Sequence, residues 1–281
     1  MTSIAPEPHI RRDHRVPGAF GAVGASGARI DRPRMVALGD SVTVGVGDQV
    51  LPGGNPGWAA HLATALDASH FANLATLGAR ARDVRDRQLA VAVTLRPSLA
   101  TLVIGGNDVL RGDFDATSVG RDVGVVCDAL VRTGSQVVIV LLHDPRESLP
   151  GPRVIRDVLS RRARSVNSAI IDDVGRTPGV TVVDPRGRLA ADDRTLWHID
   201  RMHPGPLGHR ALARMVIGEL DAVRFPLRQN IPMVPAARPG ATRQAAWLIR
   251  NGLPWFAKRS RDLLPELALM CWRERHLVDS H

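Results

Sequence analysis

Four short stretches of this sequence carry side chains that suit acyl transfer if folding brings them together: Gly39-Asp40-Ser41, Gly78, Gly105-Gly106-Asn107-Asp108 and Asp200-Arg201-Met202-His203. Ser41 follows an apolar run and a glycine, so its hydroxyl can face a cleft while its own amide sits near a helix N-terminus, where negative charge is favoured. A serine there also suits a plain turn cap. Gly78 tolerates a positive φ and lets its amide approach a ligand closely, although by itself it is a loop glycine. Asn107 can present a side-chain amide to the same cleft or simply form a turn. Asp200 and His203 are three positions apart, so one tight turn can bring the carboxylate to Nδ1, fixing the tautomer and leaving Nε2 to accept a hydroxyl proton. An incidental histidine or a metal pair are the other readings of that spacing. A metal site would need further ligands, and no His-x-x-x-His pair or cysteine cluster supplies them. His61, His143, His198 and His209 have no acid three positions before them. Taken together, these residues provide a nucleophile, a base with its orienting acid, and donors for an oxyanion, each donor worth about 2.7–4 kcal/mol.

Such groups need a scaffold that gathers remote loops. Apolar runs of strand type fall at Met35–Leu38, Phe71–Ala75, Leu99–Ile104, Gln136–Leu142 and Val180–Val183. Helical stretches lie between and after them, at Trp58–Leu66, Asp83–Leu95, Thr117–Arg132, Arg153–Val174 and from Pro206 to about Val223. Strands alternating with crossover helices predict a parallel sheet in a three-layer α/β domain over residues 34–223. Leu99–Ile104 and Gln136–Leu142 are almost unbroken apolar, as in strands covered on both faces. In open sheets of this type, ligands bind beyond the carboxyl ends of the strands, where the four stretches fall.

The 281 residues are 44% hydrophobic and 23% charged, enough for a real core. Aromatics are 4% with no Tyr, which argues against a base-stacking platform. Cys127 and Cys271 are too few and too far apart for a disulfide scaffold or a cysteine-ligated zinc. No apolar run matches a membrane span and no secretion signal is visible, so a cytoplasmic protein is expected. The net charge of +9 resides entirely on the flanks, +3 in residues 1–35 and +6 in 223–281, which argues against a nucleic-acid partner for the balanced middle. Residues 1–33 read as a flexible basic arm. Residues 224–281 read as a proline-containing linker, with Pro226, Pro232, Pro235 and Pro239, and a basic amphipathic tail with helices near 241–251 and 259–275. That tail either packs on the domain or a second subunit, or touches anionic membrane at the inner surface.

With its four blocks in order at strand ends, the chain resembles the SGNH hydrolases, the GDSL esterase/lipase family, over residues 35–222. The resemblance implies a flavodoxin-like α/β/α sandwich with a five-stranded parallel sheet in the order 2-1-3-4-5. It implies Ser41 as nucleophile, His203 as base and Asp200 as its orienter, with an oxyanion hole made by the amides of Ser41 and Gly78 and the side chain of Asn107. A small-molecule or lipid ester is the implied substrate, with no cofactor and no metal. An acyltransferase or thioesterase would use the same machinery, and a non-catalytic binding module is a further alternative. The G-x-S-x-G elbow of α/β-hydrolases is absent, and no P-loop lysine or G-x-G-x-x-G follows the first strand. Residues 45–56, 110–115 and 143–152 are the expected specificity loops, with a mobile rim at Gly53-Gly54-Asn55-Pro56-Gly57. Trp58 suits either core or pocket wall. Arg111 suits either an exposed salt bridge or an anionic substrate.

Overall fold

The computed structural model describes residues 29–48, 56–149, 152–189, 193–222 and 224–233. Residues 1–28 of the expected arm, residues 53–55 of the expected rim and the tail helices near 241–251 and 259–275 lie outside the described residues, whereas Pro56 and Gly57 of that rim open a helix. Five strands, β1 (Arg34–Gly39), β2 (His70–Asn73), β3 (Leu99–Val103), β4 (Gln136–Val140) and β5 (Val180–Val183), form one sheet in the order β2-β1-β3-β4-β5, as expected. Every neighbouring pair is parallel, with Met35 opposite Phe71 on one side and Leu99 on the other.

The period-two alternation of the strands divides the core into two layers. Val36, Leu38, Ala100, Leu102, Val137 and Ile139 pack on one side. There they meet a helix spanning α3 (Ala81–Asp83), a π-helical turn (Val84–Gln88) and α4 (Leu89–Thr94), together with α6 (Ala116–Arg132) and, after the short helix α7 (Pro145–Ser148), α8 (Arg153–Val174). Met35, Ala37, Leu99, Val103, Val138 and Val140 face the other way, toward α2 (Gly57–Ala65) and α9 (Pro206–Glu219). Trp58 is fully buried in this second layer with Leu62 and Leu66, so it is core and not pocket wall. Along α6, Val119, Val123, Val126, Cys127 and Leu130 recur at helical spacing and are buried, while the Asp115 carboxylate caps the start by accepting from Thr117 N.

Several boundaries differ from the sequence expectation for local reasons. β2 ends at Asn73 and not at Ala75, because the Asn73 side chain turns the chain: its Oδ1 accepts from Ala75 N at 3.1 Å and its Nδ2 donates to Thr43 O at 2.7 Å. The helix expected at Asp83 starts at Ala81, since Asp83 Oδ2 accepts from Arg80 N at 2.9 Å. α9 stops at Glu219, where Leu220 turns extended. At the flanks, Ile30 N donates to Arg224 O at 2.8 Å and Ile30 packs on the core. Phe225 and Ile231, placed by sequence in the linker, are buried against the α2–α9 layer. No helix among the described residues is long and apolar enough to cross a membrane.

Candidate active site

The sheet order reverses between β1 and β3, so the loops leaving these adjacent strands open into one crevice. Gly39 ends β1 at φ +132, and a Cβ there would lie 2.2 Å from Val103 O on β3; only glycine fits this approach. Asp40 then caps the short helix α1 (Ser41–Val44), its Oδ1 accepting from Val42 N at 3.0 Å, which places Ser41 at the first helical position. The chain after α1 is pinned in turn. Gly47, at φ +99, leaves no room for a Cβ, which would lie 2.1 Å from Pro204 O. This contact brings the loop after Ser41 against the loop that carries His203.

Ser41 Oγ lies 2.7 Å from His203 Nε2, and His203 Nδ1 lies 2.8 Å from Asp200 Oδ2. Asp200 Oδ1 accepts from the backbone N–H of Met202 at 2.9 Å and of His203 at 3.0 Å, so one oxygen shapes the turn and the other meets the imidazole. Arg201 takes the left-handed conformation, φ +60, that this tight turn demands. Burial alone would raise the Asp200 carboxyl, but the contacts from His198 and His203 outweigh it and hold the group well below the usual carboxylate range.

Asn107 sits on the short helix α5 (Gly106–Val109) after β3. Its Nδ2 donates to Ala79 O at 3.1 Å and reaches Asp40 Oδ2 at 3.4 Å, which ties it to the neighbour of Gly78 and to the neighbour of Ser41. Gly78 has φ +76. Among the described residues, neither the Ser41 nor the Gly78 amide has an acceptor. Asp108 is buried and fastens these loops together: Oδ2 accepts from Ala81 N and Oδ1 from Arg80 Nε, both at 3.1 Å. Burial raises the Asp108 carboxyl, and it pushes that of Asp40 up to about 6.

Several contributors lie outside what the motifs reveal. Gln88, turned inward from the π-helical turn and buried, clamps Gly39: Oε1 accepts from Gly39 N at 2.8 Å and Nε2 donates to Gly39 O at 2.9 Å. His209 accepts from Trp58 N at 3.1 Å through Nδ1 and donates to Val46 O at 2.9 Å through Nε2. That pattern requires the neutral imidazole, and burial pushes His209 down to about 4. Asp48, fully buried, accepts from His61 Nε2 at 2.7 Å and Gly57 N at 3.1 Å, closing the other end of the same loop. His143, beyond β4, packs its ring on Trp197 with centroids 4.5 Å apart and contacts Ser148 Oγ at 3.0 Å. Burial pushes His143 down to about 4 as well. His198 Nδ1 stands 3.1 Å from Asp200 Oδ2. No sequence signal short of the fold marks these residues: the partners of Gln88 and His209 are tens of residues away, and the contacts of Asp48, His143 and His198 follow no spacing that by itself marks a site.

Arg111 is half-buried and makes no salt bridge among the described residues, contrary to the exposed bridge expected of it. The acid nearby, Asp113, accepts from Arg80 Nη1 at 2.9 Å instead. Among the described residues, no group of three or more His, Cys, Asp or Glu is placed to hold a metal ion.

The family model described as GDSL-like Lipase/Acylhydrolase matches residues 37–211. No curated protein sequence matches the chain. Among solved structures, the acetylxylan esterase Axe2 from Geobacillus stearothermophilus is similar at TM-score 0.51 and 18% identity, covering 68% of this chain and 96% of that one. The lipase Lip_vut3 from a goat rumen metagenome is similar at TM-score 0.53 and 16% identity, covering 66% of this chain and 96% of that one. A putative SGNH hydrolase from Slackia heliotrinireducens is similar at TM-score 0.52 and 20% identity, covering 68% of this chain and 100% of that one. At these identities the likeness shows a shared fold.

Proposed function

The chain belongs to the GDSL-like lipase/acylhydrolase family, and from that premise we propose that it hydrolyses a carboxylic ester through an acyl-Ser41 intermediate. The observation that carries this reading is the continuous hydrogen-bonded line from Ser41 Oγ through both nitrogens of His203 to Asp200, at 2.7 and 2.8 Å.

Ser41 Oγ attacks the ester carbonyl carbon as its proton passes to His203 Nε2. Asp200 stabilises the imidazolium and keeps Nδ1 protonated, so Nε2 stays the accepting nitrogen. The tetrahedral oxyanion is met by the uncommitted amides of Ser41 and Gly78 and by Asn107 Nδ2. The Nδ2 contact to Asp40 Oδ2, at 3.4 Å, is longer than an ordinary N–H···O bond, and that hydrogen is the one free to turn toward developing charge. Collapse expels the alcohol, which takes the proton from His203. Water, losing its proton to His203, attacks the acyl carbon and releases the acid and Ser41. Solved structures similar to this chain include catalytic mutants of the acetylxylan esterase Axe2 in which a serine, an aspartate or a histidine is replaced, which supports this division of labour.

The test is hydrolysis of a short-chain p-nitrophenyl ester by the full chain and by Ser41→Ala. The variant is expected to lose on the order of 10³-fold or more in kcat. Equal rates in the two proteins would refute the assignment of Ser41.

A further inference from the structure

Two of the proposed oxyanion donors come from different loops, Gly78 from the loop after β2 and Asn107 from α5 after β3, and some contact must keep them in register. Each residue from 79 to 81 is tied to Asn107 or Asp108. Ala79 O accepts from Asn107 Nδ2, Arg80 Nε donates to Asp108 Oδ1, and Ala81 N donates to Asp108 Oδ2, all at 3.1 Å. Arg80 also donates through Nη1 to Asp113 Oδ2 at 2.9 Å, on the stretch expected to set specificity. The side chains of Arg80 and Asp108 are 11% and 4% exposed, whereas that of Asp113 is 60% exposed. The inner contact is therefore shielded from water and the outer one is screened by it. The Asp113 stretch is anchored from its other side by α8: Arg162 Nη1 donates to Arg111 O at 2.7 Å, and the Arg162 guanidinium lies 4.6 Å over the Phe114 ring.

A buried ion pair adds little stability that a well-packed apolar pair would not, because desolvating both charges offsets their attraction. What it supplies is direction. A guanidinium is a planar fork with donors at fixed angles, and Asp108 meets it with one oxygen while the other holds the next backbone amide. We infer that Arg80 is a positioning residue for the reaction proposed above: closed on Asp108, it holds the Gly78 amide and the Asn107 side chain in fixed register as a matched pair of oxyanion donors. The inference rests on the acyl-enzyme reading, since the two donors share one developing charge only there.

The guanidinium has a second effect. The buried Asp108 carboxylate is felt as far as Asp40, the neighbour of Ser41. Left unbalanced, that negative charge would oppose the oxyanion, and Arg80 offsets it at close range.

The test compares the full chain with Arg80→Lys, which keeps the charge but not the fork, and Arg80→Gln, which loses both. Rates are expressed per Ser41 titrated with a fluorophosphonate, so unfolded protein does not count. For a p-nitrophenyl ester, kcat is expected to fall about 10-fold in Arg80→Lys and about 100-fold in Arg80→Gln, with KM within about 2-fold of the wild type. The order parameter of the Gly78 amide, from ¹⁵N relaxation, is expected to fall from about 0.85 to below about 0.6 in both variants. A Gly78 amide as rigid in both variants as in the wild type, an unchanged kcat, or a rise in KM alone would overturn the inference. If Arg80→Gln does not fold, Arg80→Lys decides by the same readouts. A wild type that neither hydrolyses the ester nor takes the phosphonate refutes the acyl-enzyme reading instead, and the Gly78 order parameter, which needs no turnover, then decides the role of Arg80 alone.

Discussion

Replacing Gln88 with leucine keeps the bulk of the side chain and removes the amide that clamps Gly39. In the native protein that amide satisfies Gly39 N at 2.8 Å and Gly39 O at 2.9 Å, both in the buried end of β1. Leaving a buried backbone group unpaired costs about 1–3 kcal/mol. Gly39 O retains a second donor, Thr76 N at 3.1 Å, so its loss falls at the low end while that of Gly39 N does not. The expected destabilisation of Gln88→Leu is thus about 2–4 kcal/mol, or roughly 5–15 °C in Tm for a domain of this size. Gly39 stands two residues before Ser41, and the clamp fixes where α1 begins. An error on the order of 1 Å in the nucleophile can cost up to about 100-fold, so kcat for the p-nitrophenyl ester is expected to fall roughly 10-fold or more with little change in KM. Urea denaturation and steady-state kinetics measure the two effects. A stability loss below about 1 kcal/mol together with an unchanged kcat would refute the clamp as the device that sets Ser41.

Two further perturbations follow from buried titratable groups. The Asp40 carboxyl is raised to about 6 by burial, above its ordinary 3.8, so the folded protein binds more protons than the unfolded chain between those values and Asp40 lowers stability as pH rises through that window. Asp40→Asn is therefore expected to stabilise the fold at pH 7.5, by up to about 3 kcal/mol, with the gain fading toward pH 4; urea midpoints at the two pH values check it, and a gain that grows on acidification would contradict the sign. Cys127 is fully buried and its thiol is pushed up beyond the ordinary range, so iodoacetamide is expected to leave it unmodified in the native protein and to alkylate it in urea, as read by mass spectrometry of its peptide.

The features that sequence reading captured share a physical basis. Strands buried on both faces, such as β3 and β4, must be nearly all apolar, and α6 must place an apolar residue on each turn of one side, so composition and period report them directly. The strand order came from the resemblance, since pattern alone does not say which strands are neighbours. Ser41, Asn107, Asp200 and His203 are legible because each lies just past a strand or in a tight turn whose chemistry is local: a capped one-turn helix, a pair of glycines, a three-residue carboxylate–imidazole turn. The supporting residues were not legible, for the opposite reason. Gln88 reaches Gly39 across 49 positions, aimed by a π-helical turn that carries one extra residue and leaves no mark in the hydrophobic period. His209 and Trp58 meet across 151 positions and read as an ordinary helical histidine and a core aromatic until the helices are packed. His198 failed the three-residue rule because its contact with Asp200 is made possible by the hairpin closed between Trp197 and Pro204 and not by helical spacing.

The proposed chemistry requires Ser41 to be a nucleophile made reactive by His203. Incubating the full chain with a fluorophosphonate and locating the adduct by peptide mass spectrometry tests this most directly. The expected result is one phosphonyl group on Ser41, formed far more slowly in His203→Ala. Ester hydrolysis that persists while Ser41 stays unlabelled, or an adduct on another residue, would contradict it.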